Sequence, residues 1–246
     1  MSPLTRALYI SLPLLMLTAV LELAFISSTV SWLHTTAGRE FLINDASGPF
    51  HLHGTPANLL VNQGHTSNGA AGTAFVLVGG GGILALLLRG SVTRHPGSVC
   101  NNLRIAWYTT WLFLSLLSAL LSLGALAYTF FLTAAHSDQS IDVAYAATLH
   151  SEPYSNYVAY DRDSWTPEDW FGAVLRLDLA CEELKRDVEG RLVIMRAWRW
   201  NLIPLFAMGV FVAGLAVAEG LRWRRWARGE EFGIEREGKR LVGAAE

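Results

Sequence analysis

The sequence predicts an all-α membrane protein, a four-helix transmembrane bundle with a partly helical second extracytoplasmic loop. The parts of the outer loops that are not helical either form a small strand element or are irregular. Two observations lead to this fold class. Of the 246 residues, 52% are hydrophobic and only 16% are charged, whereas a soluble domain usually carries about 25% charged residues. In addition, four apolar runs reach the roughly 20 residues that a helix needs to cross the hydrocarbon core. Each run is expected to be helical, because lipid offers no partner to unpaired backbone groups.

The four spans divide the chain into a simple order of segments. These are a cytoplasmic N-terminus (1–6), span one (7–30), outer loop one (31–69), span two (70–88), a cytoplasmic loop (89–104), span three (105–134), outer loop two (135–201), span four (202–220) and a cytoplasmic tail (221–246). Span one is longer than the apolar region of a cleaved signal peptide and contains Glu22, so it is expected to be an uncleaved anchor.

Arginines set the expected orientation of the spans. Arg6 precedes span one, and further arginines lie in the 89–104 loop and just after span four. Such residues favour the cytoplasmic side. The arginines at 186–199 lie on the other side, but long loops translocate largely regardless of charge. We therefore expect a multi-pass protein of the plasma membrane or a secretory-pathway membrane, with both termini in the cytoplasm.

Outer loop two is expected to contain an amphipathic helix over about 167–198 that runs directly into span four. Thr166 offers a capping hydroxyl, Pro167 suits the first helical position, and acidic residues follow in the first turn. Apolar residues then recur at spacings of three and four and form one stripe. They are Trp170, Val174, Leu177, Cys181, Leu184, Val188, Leu192 and Met195. Outer loop one and the outer end of span three are expected to cover this stripe; a docked partner protein is the alternative.

Three short segments of the outer loops have strand-like composition. Phe41–Ile43 and Leu59–Val61 are brief apolar runs, and alternating apolar residues at 141–145 indicate a third strand. These segments carry the predicted strand element.

Glu22 is the most conspicuous candidate site residue, because an ionisable side chain inside a span costs a few kcal/mol and usually faces a bundle interior or a water-filled cavity. One interpretation is a proton or cation site. The other is a protonated or hydrogen-bonded glutamate paired with a serine of span three. Glu219, beside Arg222 at the inner end of span four, is expected to form an interfacial ion pair.

Small residues in spans two and three predict close helix packing. Span two contains Gly79, Gly80, Gly81 and Gly82, and span three carries a face with Ser115, Ser118 and Ser122. Small residues let helix backbones approach closely in lipid, and consecutive glycines also form a point at which a helix can bend. We expect spans two and three to meet through these surfaces.

Histidines and cysteines offer further candidates. His51 and His53 would share one face of an extended strand, a pattern that suits a Zn or Cu site or a pH sensor. No cysteine or closely spaced carboxylate completes the ligand set in the sequence, so neither a metal nor a cofactor is expected.

Cys100 is a candidate palmitoylation site. Cys181, on the apolar stripe, is expected to be a buried free thiol, with an intermolecular disulfide as the alternative.

The net charge and the sequence motifs argue against two classes of function, nucleic-acid binding and catalysis. The net charge of −2 gives no basic excess for nucleic acid, and no catalytic motif is found, so the protein is not expected to be an enzyme. The leading hypothesis is a tetraspan protein that organises or escorts partner proteins in the bilayer, or associates with itself. The alternatives are a small channel or transporter-like protein using Glu22, and an extracytoplasmic metal or pH sensor using His51 and His53.

The layout of four spans, a small first and a large second outer loop resembles that of tetraspanins and claudins, although their signature cysteines are absent. Over about Tyr160 to Glu219 the chain resembles uncharacterised four-span membrane proteins of filamentous fungi. These proteins also place a Thr-Pro-Glu-x-Trp helix start, here Thr166 to Trp170, before the last span. Their loop often carries paired cysteines, whereas this chain has Cys181 alone, which puts a family disulfide in doubt. The resemblance implies a four-span fold and no particular activity.

Overall fold

The computed structural model describes residues 2–36, 39–90, 99–149 and 158–243. Its helices are α1 (Pro3–Thr35), α2 (Asn62–Thr73), α3 (Gly81–Gly90), α4 (Val99–His136), α5 (Val143–Thr148), α6 (Pro167–Val174) and α7 (Glu182–Gly243), and a π-helical segment (Ala74–Gly80) joins α2 to α3. Its strands are β1 (Glu40–Asn44), β2 (Phe50–His53) and β3 (Asp178–Leu179). Four helical stretches are long and apolar enough to cross a membrane, and together with the small sheet they confirm the predicted fold class.

The bundle is built around α7, which packs along both α1 and α4, while α2, the π-helical segment and α3 close the remaining side. The helical stretches that contain the four candidate membrane spans are Pro3–Thr35, Asn62–Leu88, Ile105–His136 and Glu182–Arg224. Fully buried aliphatic side chains fill the space between the helices, including Leu8, Leu12, Leu15, Leu202 and Leu205. Because lipid is as apolar as these side chains, the bundle depends on close packing and on interhelical hydrogen bonds.

Two spans begin earlier than the apolar runs alone indicate. Helix α1 starts at Pro3, because the Ser2 hydroxyl accepts a hydrogen bond from the Thr5 backbone N–H at 3.0 Å and caps the first turn. Helix α2 starts at Asn62 instead of residue 70. Its first turns are polar, yet Gln63 and Ser67 are buried against neighbouring elements, so tertiary contacts extend this helix beyond its apolar part.

The three strands, α5, α6 and the first part of α7 (182–198) form a unit at the end of the bundle opposite the start of α1, which we call the head domain. Strand β1 is central and antiparallel to both neighbours, with Phe41 opposite Leu52 and Ile43 opposite Leu179. This confirms the strand predicted at Phe41–Ile43. The head domain has its own core of fully buried large side chains, which include Trp165, Trp170, Tyr160, Phe41 and Phe171.

The apolar stripe of α6 and α7 is covered from within the chain. Trp170, Val174, Val188 and Met195 are completely buried and pack with the inner face of the sheet and with Trp32 of α1. The cover predicted from outer loop one is therefore present, and this stripe is closed to a docking partner.

The prediction of one continuous helix over 167–198 is wrong, because the structure divides this segment into two helices. Helix α6 ends at Val174, and the chain passes through β3 before α7 begins at Glu182. The break is held by pairing with β1, where the Ala180 backbone N–H donates to the Leu42 carbonyl at 2.9 Å. As a result Cys181 is exposed rather than buried. The expected continuity into span four is found, since α7 runs without interruption to Gly243.

The other two strand predictions also differ from the structure. Residues 143–148 form α5, because the Asp142 side chain accepts from the Tyr145 backbone N–H at 3.1 Å and starts a helix where alternation indicated a strand. The 59–61 segment contributes only an isolated parallel bridge between Leu59 and Trp165. At 143–148 a local hydrogen bond outweighs the weak alternating pattern, and at 59–61 the distant residue Trp165 determines the pairing.

Polar contacts fasten the head domain to spans one and four. The Trp32 indole N–H donates to Asp187 Oδ2 at 2.7 Å, and Arg191 Nη1 donates to Ser28 Oγ at 2.9 Å. From α6, Glu168 reaches two arginines of α7: Arg196 at 3.4 Å and Arg199 at 3.2 Å. The head domain is thus attached to the bundle through side chains on three helices.

Two carboxyl groups at this junction predict an unusual pH dependence. Burial raises the pKa of Glu168 despite the nearby Arg199, and burial also raises the pKa of Asp169. A proton then binds the folded chain more tightly than the unfolded chain, so these groups stabilise the fold at low pH, and that contribution is lost as pH rises through their folded pKa values. As pH is raised from the ordinary carboxyl pKa values of 3.8 and 4.5 towards neutrality, we expect the melting temperature in detergent to fall more in the natural chain than in the Glu168→Gln/Asp169→Asn variant. An equal or smaller fall in the natural chain would contradict this expectation.

Candidate functional site

Glu22 is completely buried between α1 and α7. The Asn201 side-chain amide, on α7, donates one N–H to Glu22 Oε2 at 2.8 Å and another to the Thr18 carbonyl at 3.0 Å. The acid is therefore bound by span four, and the expected serine of span three is not its partner. Sequence reasoning missed Asn201, because the predicted segments place it at the end of outer loop two, one residue before span four, where an amide can be hydrated.

Among the described residues, no donor reaches Oε1 of Glu22 in ordinary hydrogen-bond geometry. The Trp198 indole N–H is nevertheless directed at this carboxyl group and interacts with it. Trp198 is 5% exposed. Buried polar atoms are nearly always hydrogen-bonded in folded proteins, and the Trp198 N–H and the Glu22 carboxyl group are placed to serve as partners for each other.

Glu219 is the second fully buried acid of the bundle, and its surroundings are the opposite. Arg222 binds it in a bidentate manner, with Nε 2.9 Å from Oε2 and Nη2 2.9 Å from Oε1. The Thr5 hydroxyl donates to Oε1 at 2.9 Å, and the Ser2 hydroxyl reaches Oε2 at 3.2 Å. The expected ion pair is present and also ties the first turn of α1 to α7, so Glu219 has a structural role.

The glycine run of span two accommodates side chains of two other helices. Gly79 lies against Met16 of α1, and Gly82 lies between Leu12 and the indole of Trp111 on α4. Gly81 contacts the same indole, and Gly80 is exposed at the bundle surface. These glycines coincide with the end of the π-helical segment, where the Trp111 indole N–H donates to the Val78 carbonyl at 3.0 Å.

Ser115, Ser118 and Ser122 are buried on α4 as expected, but they do not meet the glycines. The Ser115 and Ser122 hydroxyls donate to carbonyls of their own helix, at 2.8 Å and 2.9 Å. Ser118 lies 3.4 Å from the Thr73 hydroxyl of α2. Spans two and three do pack together, with Trp111 in place of the serines as the main contact of the glycine run.

Gly82 provides a sharp test of this packing. A Cβ atom at Gly82 would lie 2.8 Å from Trp111 Cζ2 and 2.9 Å from Leu12 Cδ2, and Trp111 is held by its bond to Val78. We expect Gly82→Ala to destabilise the bundle by about 1–3 kcal/mol, the usual cost of overpacking. The control is Gly72→Ala in the same span, where a Cβ meets nothing within 4 Å. Thermal unfolding in detergent measures both, and equal melting temperatures for the two variants would contradict the role of Trp111.

Phe50 and Leu52 of β2 are buried, whereas His51 is exposed and His53 is half-buried. Because side chains alternate along a strand, His51 and His53 lie on the same, outer face of β2. His51 Nδ1 is 3.3 Å from Glu40 Oε2 on β1, a carboxylate that the sequence spacing does not reveal. His53 Nδ1 is 2.7 Å from the Thr55 carbonyl, which occupies that nitrogen. Among the described residues there is no group of three or more side chains placed to hold a metal ion.

The cysteines are separated by the fold. Cys181 is exposed just before α7. Cys100 lies in the first turn of α4, and its side chain is outside the described part of the chain.

The residues that the structure brings together are therefore Glu22, Asn201 and Trp198, in the half of the bundle nearer the head domain. The glycines, the serines and Glu219 are packing elements elsewhere in the bundle. Comparisons with protein-family models, with curated proteins and with solved structures find no match for this chain.

Proposed function

We propose that this chain is a non-enzymatic tetraspan membrane protein that organises or escorts partner proteins, and that its head domain is the recognition surface. One observation carries the proposal. The head domain has a separate aromatic core and is fastened to spans one and four by Trp32–Asp187, Arg191–Ser28 and the contacts of Glu168. A surface held in a fixed orientation loses little conformational freedom on binding, which favours recognition.

The acidic edge of the head domain is the part of this surface best suited to a partner. Its residues are Asp178, Glu182 and Glu183, all exposed where β3 leads into α7. Outer loop two as a whole has twelve acidic and seven basic residues. Because complementary charge governs partner choice and association rate more than affinity, the expected partner presents a basic patch close to the membrane.

The proposal is tested by proximity labelling in cells, with the labelling enzyme fused to each terminus in turn. A variant with lysine at 178, 182 and 183 is compared with the charge-conserving variant Asp178→Glu/Glu182→Asp/Glu183→Asp. We expect the enriched neighbours to be lost in the first variant and kept in the second. Neighbours that are unchanged by charge reversal, or no more numerous than those of an unrelated four-span protein, would overturn the proposal.

The same proposal places the head domain outside the cytoplasm and both termini inside, in the plasma membrane or a secretory-pathway membrane. The support is the placement of Arg6 and of the arginines at 222–228 next to the ends of spans. Protease added to sealed, right-side-out vesicles is expected to cut the loops of the head domain and to spare the tail. The reverse pattern would invert the orientation.

The alternative of a small channel or transporter-like protein is favoured by one feature, the complete burial of an ionisable side chain, Glu22, inside a span. Replacing Glu22 with Gln separates the two functions. An organiser keeps its neighbours after this change, whereas a conducting protein loses ion flux in reconstituted vesicles.

A further inference from the structure

A cavity of about 40 Å³, which we call the junction cavity, lies where spans one and two meet the head domain. Its wall is formed mainly by the last turns of α1 and the first turn of α2, and it is completed by Pro167 of α6 and Trp198 of α7. Two residues of the wall, Val30 and Val61, are 45% and 44% exposed. The junction cavity therefore opens at the surface of the bundle, level with the residues that end span one.

One polar group in this wall lacks a partner. Gln63 is 2% exposed, and among the described residues no donor reaches its side-chain Oε1. A buried acceptor of this kind costs free energy unless a donor satisfies it. The last torsion of a glutamine side chain is broad, so a turn of the Gln63 amide can present this oxygen to a donor that enters the cavity.

The other polar side chains of the wall already have partners. The Thr29 hydroxyl donates to the Phe25 carbonyl at 2.9 Å, and the Trp198 indole N–H is directed at the Glu22 carboxyl group. The remaining described residues of the wall are apolar or glycine. A buried water usually makes about three hydrogen bonds, so this wall suits water poorly. It suits a group with one O–H donor and an apolar body.

The size and charge of the junction cavity narrow the ligand further. A group as large as a water needs about 10–15 Å³ of such space, so about three atoms in line fit inside. These atoms correspond to a hydroxyl group and the first carbons of a chain, with the rest of the chain lying in lipid beside Val30. None of the described residues that line the cavity is charged. Because an unpaired charge is costly to bury, the ligand is neutral.

We propose that the junction cavity binds the end of a neutral membrane lipid whose apolar chain carries a terminal hydroxyl group. In this complex the ligand hydroxyl donates to Gln63 Oε1, and Ile26, Val30 and Leu33 contact the carbons that follow. The inference goes beyond the proposed partner role and does not depend on it.

The test uses the full chain in phosphatidylcholine vesicles and a photoreactive hexadecanol that carries a diazirine near its hydroxyl end. Unlabelled hexadecanol and its methyl ether compete with the probe; the two share one chain, but the ether has no O–H donor. In the natural chain, we expect saturable labelling of residues 26–33 or 61–64. Hexadecanol should compete about two- to tenfold better than the ether, the range that one hydrogen bond gives. The proposal fails if labelling of these segments is not saturable, or if the two competitors are equal.

Gln63→Met tests the acceptor, because methionine has a similar length and no amide oxygen. In this variant we expect both competitors to displace the probe equally well. A preference for the alcohol that survives the substitution would show that Gln63 is not the acceptor and would contradict the proposal.

Two glycines of α2 provide a matched pair for the cavity itself. A Cβ at Gly64 or at Gly69 meets nothing within 4 Å, but only Gly64 lines the junction cavity. Gly64→Leu is expected to fill the cavity and abolish the saturable labelling, whereas Gly69→Leu keeps it. Saturable labelling of the same segments in Gly64→Leu would exclude this cavity as the site. Melting temperatures confirm that each variant is folded, and the comparison of alcohol with ether in the natural chain needs no variant.

Discussion

Trp170→Ala is expected to lower the free energy of unfolding by about 3–5 kcal/mol, the usual cost of removing a fully buried tryptophan. Trp170 is completely buried in the head domain, and its indole N–H donates to the Gly54 carbonyl at 2.8 Å. Its ring packs edge-on against Trp165 at 5.2 Å and is tilted against Tyr160 at 5.7 Å. Removing the ring opens a cavity at the centre of this cluster and leaves the Gly54 carbonyl without its donor.

Intrinsic tryptophan fluorescence during thermal unfolding measures this loss, and Trp170→Phe is the matched control. Phenylalanine keeps most of the ring packing and loses the hydrogen bond, which contributes about 1 kcal/mol. The phenylalanine variant should therefore melt between the natural chain and the alanine variant. If Trp170→Ala melted with the natural chain, the cluster would not be the core of the head domain.

Arg222→Ala is expected to have the second largest effect, about 3 kcal/mol. It removes the bidentate partner of the completely buried Glu219 carboxylate, whose contacts with the Ser2 and Thr5 hydroxyls bring no positive charge. Breaking a buried ion pair by removal of one partner costs about 3–5 kcal/mol. The lower end applies here, because the Arg222 side chain is 51% exposed and its charge is partly screened by solvent.

The double variant Arg222→Ala/Glu219→Ala separates this effect from a simple loss of contacts. The double variant also removes the carboxylate that the single variant leaves without its arginine, so it should be more stable than Arg222→Ala alone. Chemical unfolding in mixed micelles provides the comparison. A double variant that is less stable than Arg222→Ala would mean that Glu219 stabilises the bundle without its arginine.

The sequence was sufficient for features that depend on local composition. The four spans follow from apolar length, and the start of α6 follows from Thr166 and Pro167, where the Thr166 hydroxyl does accept from the Asp169 backbone N–H at 3.2 Å. The pair formed by Glu219 and Arg222 is also local, since the two residues lie one turn apart on α7.

Features that depend on distant contacts could not be predicted. The break between α6 and α7 preserves the three- and four-residue apolar spacing, and only the pairing of β3 with β1 reveals it. Asn201 meets Glu22 across 179 residues of chain, so no spacing rule brings them together. The insertion of Trp111 against Gly82 depends on the extra residue per turn of the π-helical segment, which has no clear sequence signature.

Helix α7 extends from Glu182 in the head domain, through the bundle, to Gly243. At 1.5 Å per residue, its 62 residues make a rod of about 90 Å. A continuous helix of this length behaves as one mechanical unit. Pro204 lacks a backbone N–H and weakens the helix at that turn. A tilt of the head-domain end is therefore expected to displace the opposite end of the helix, with bending concentrated at Pro204.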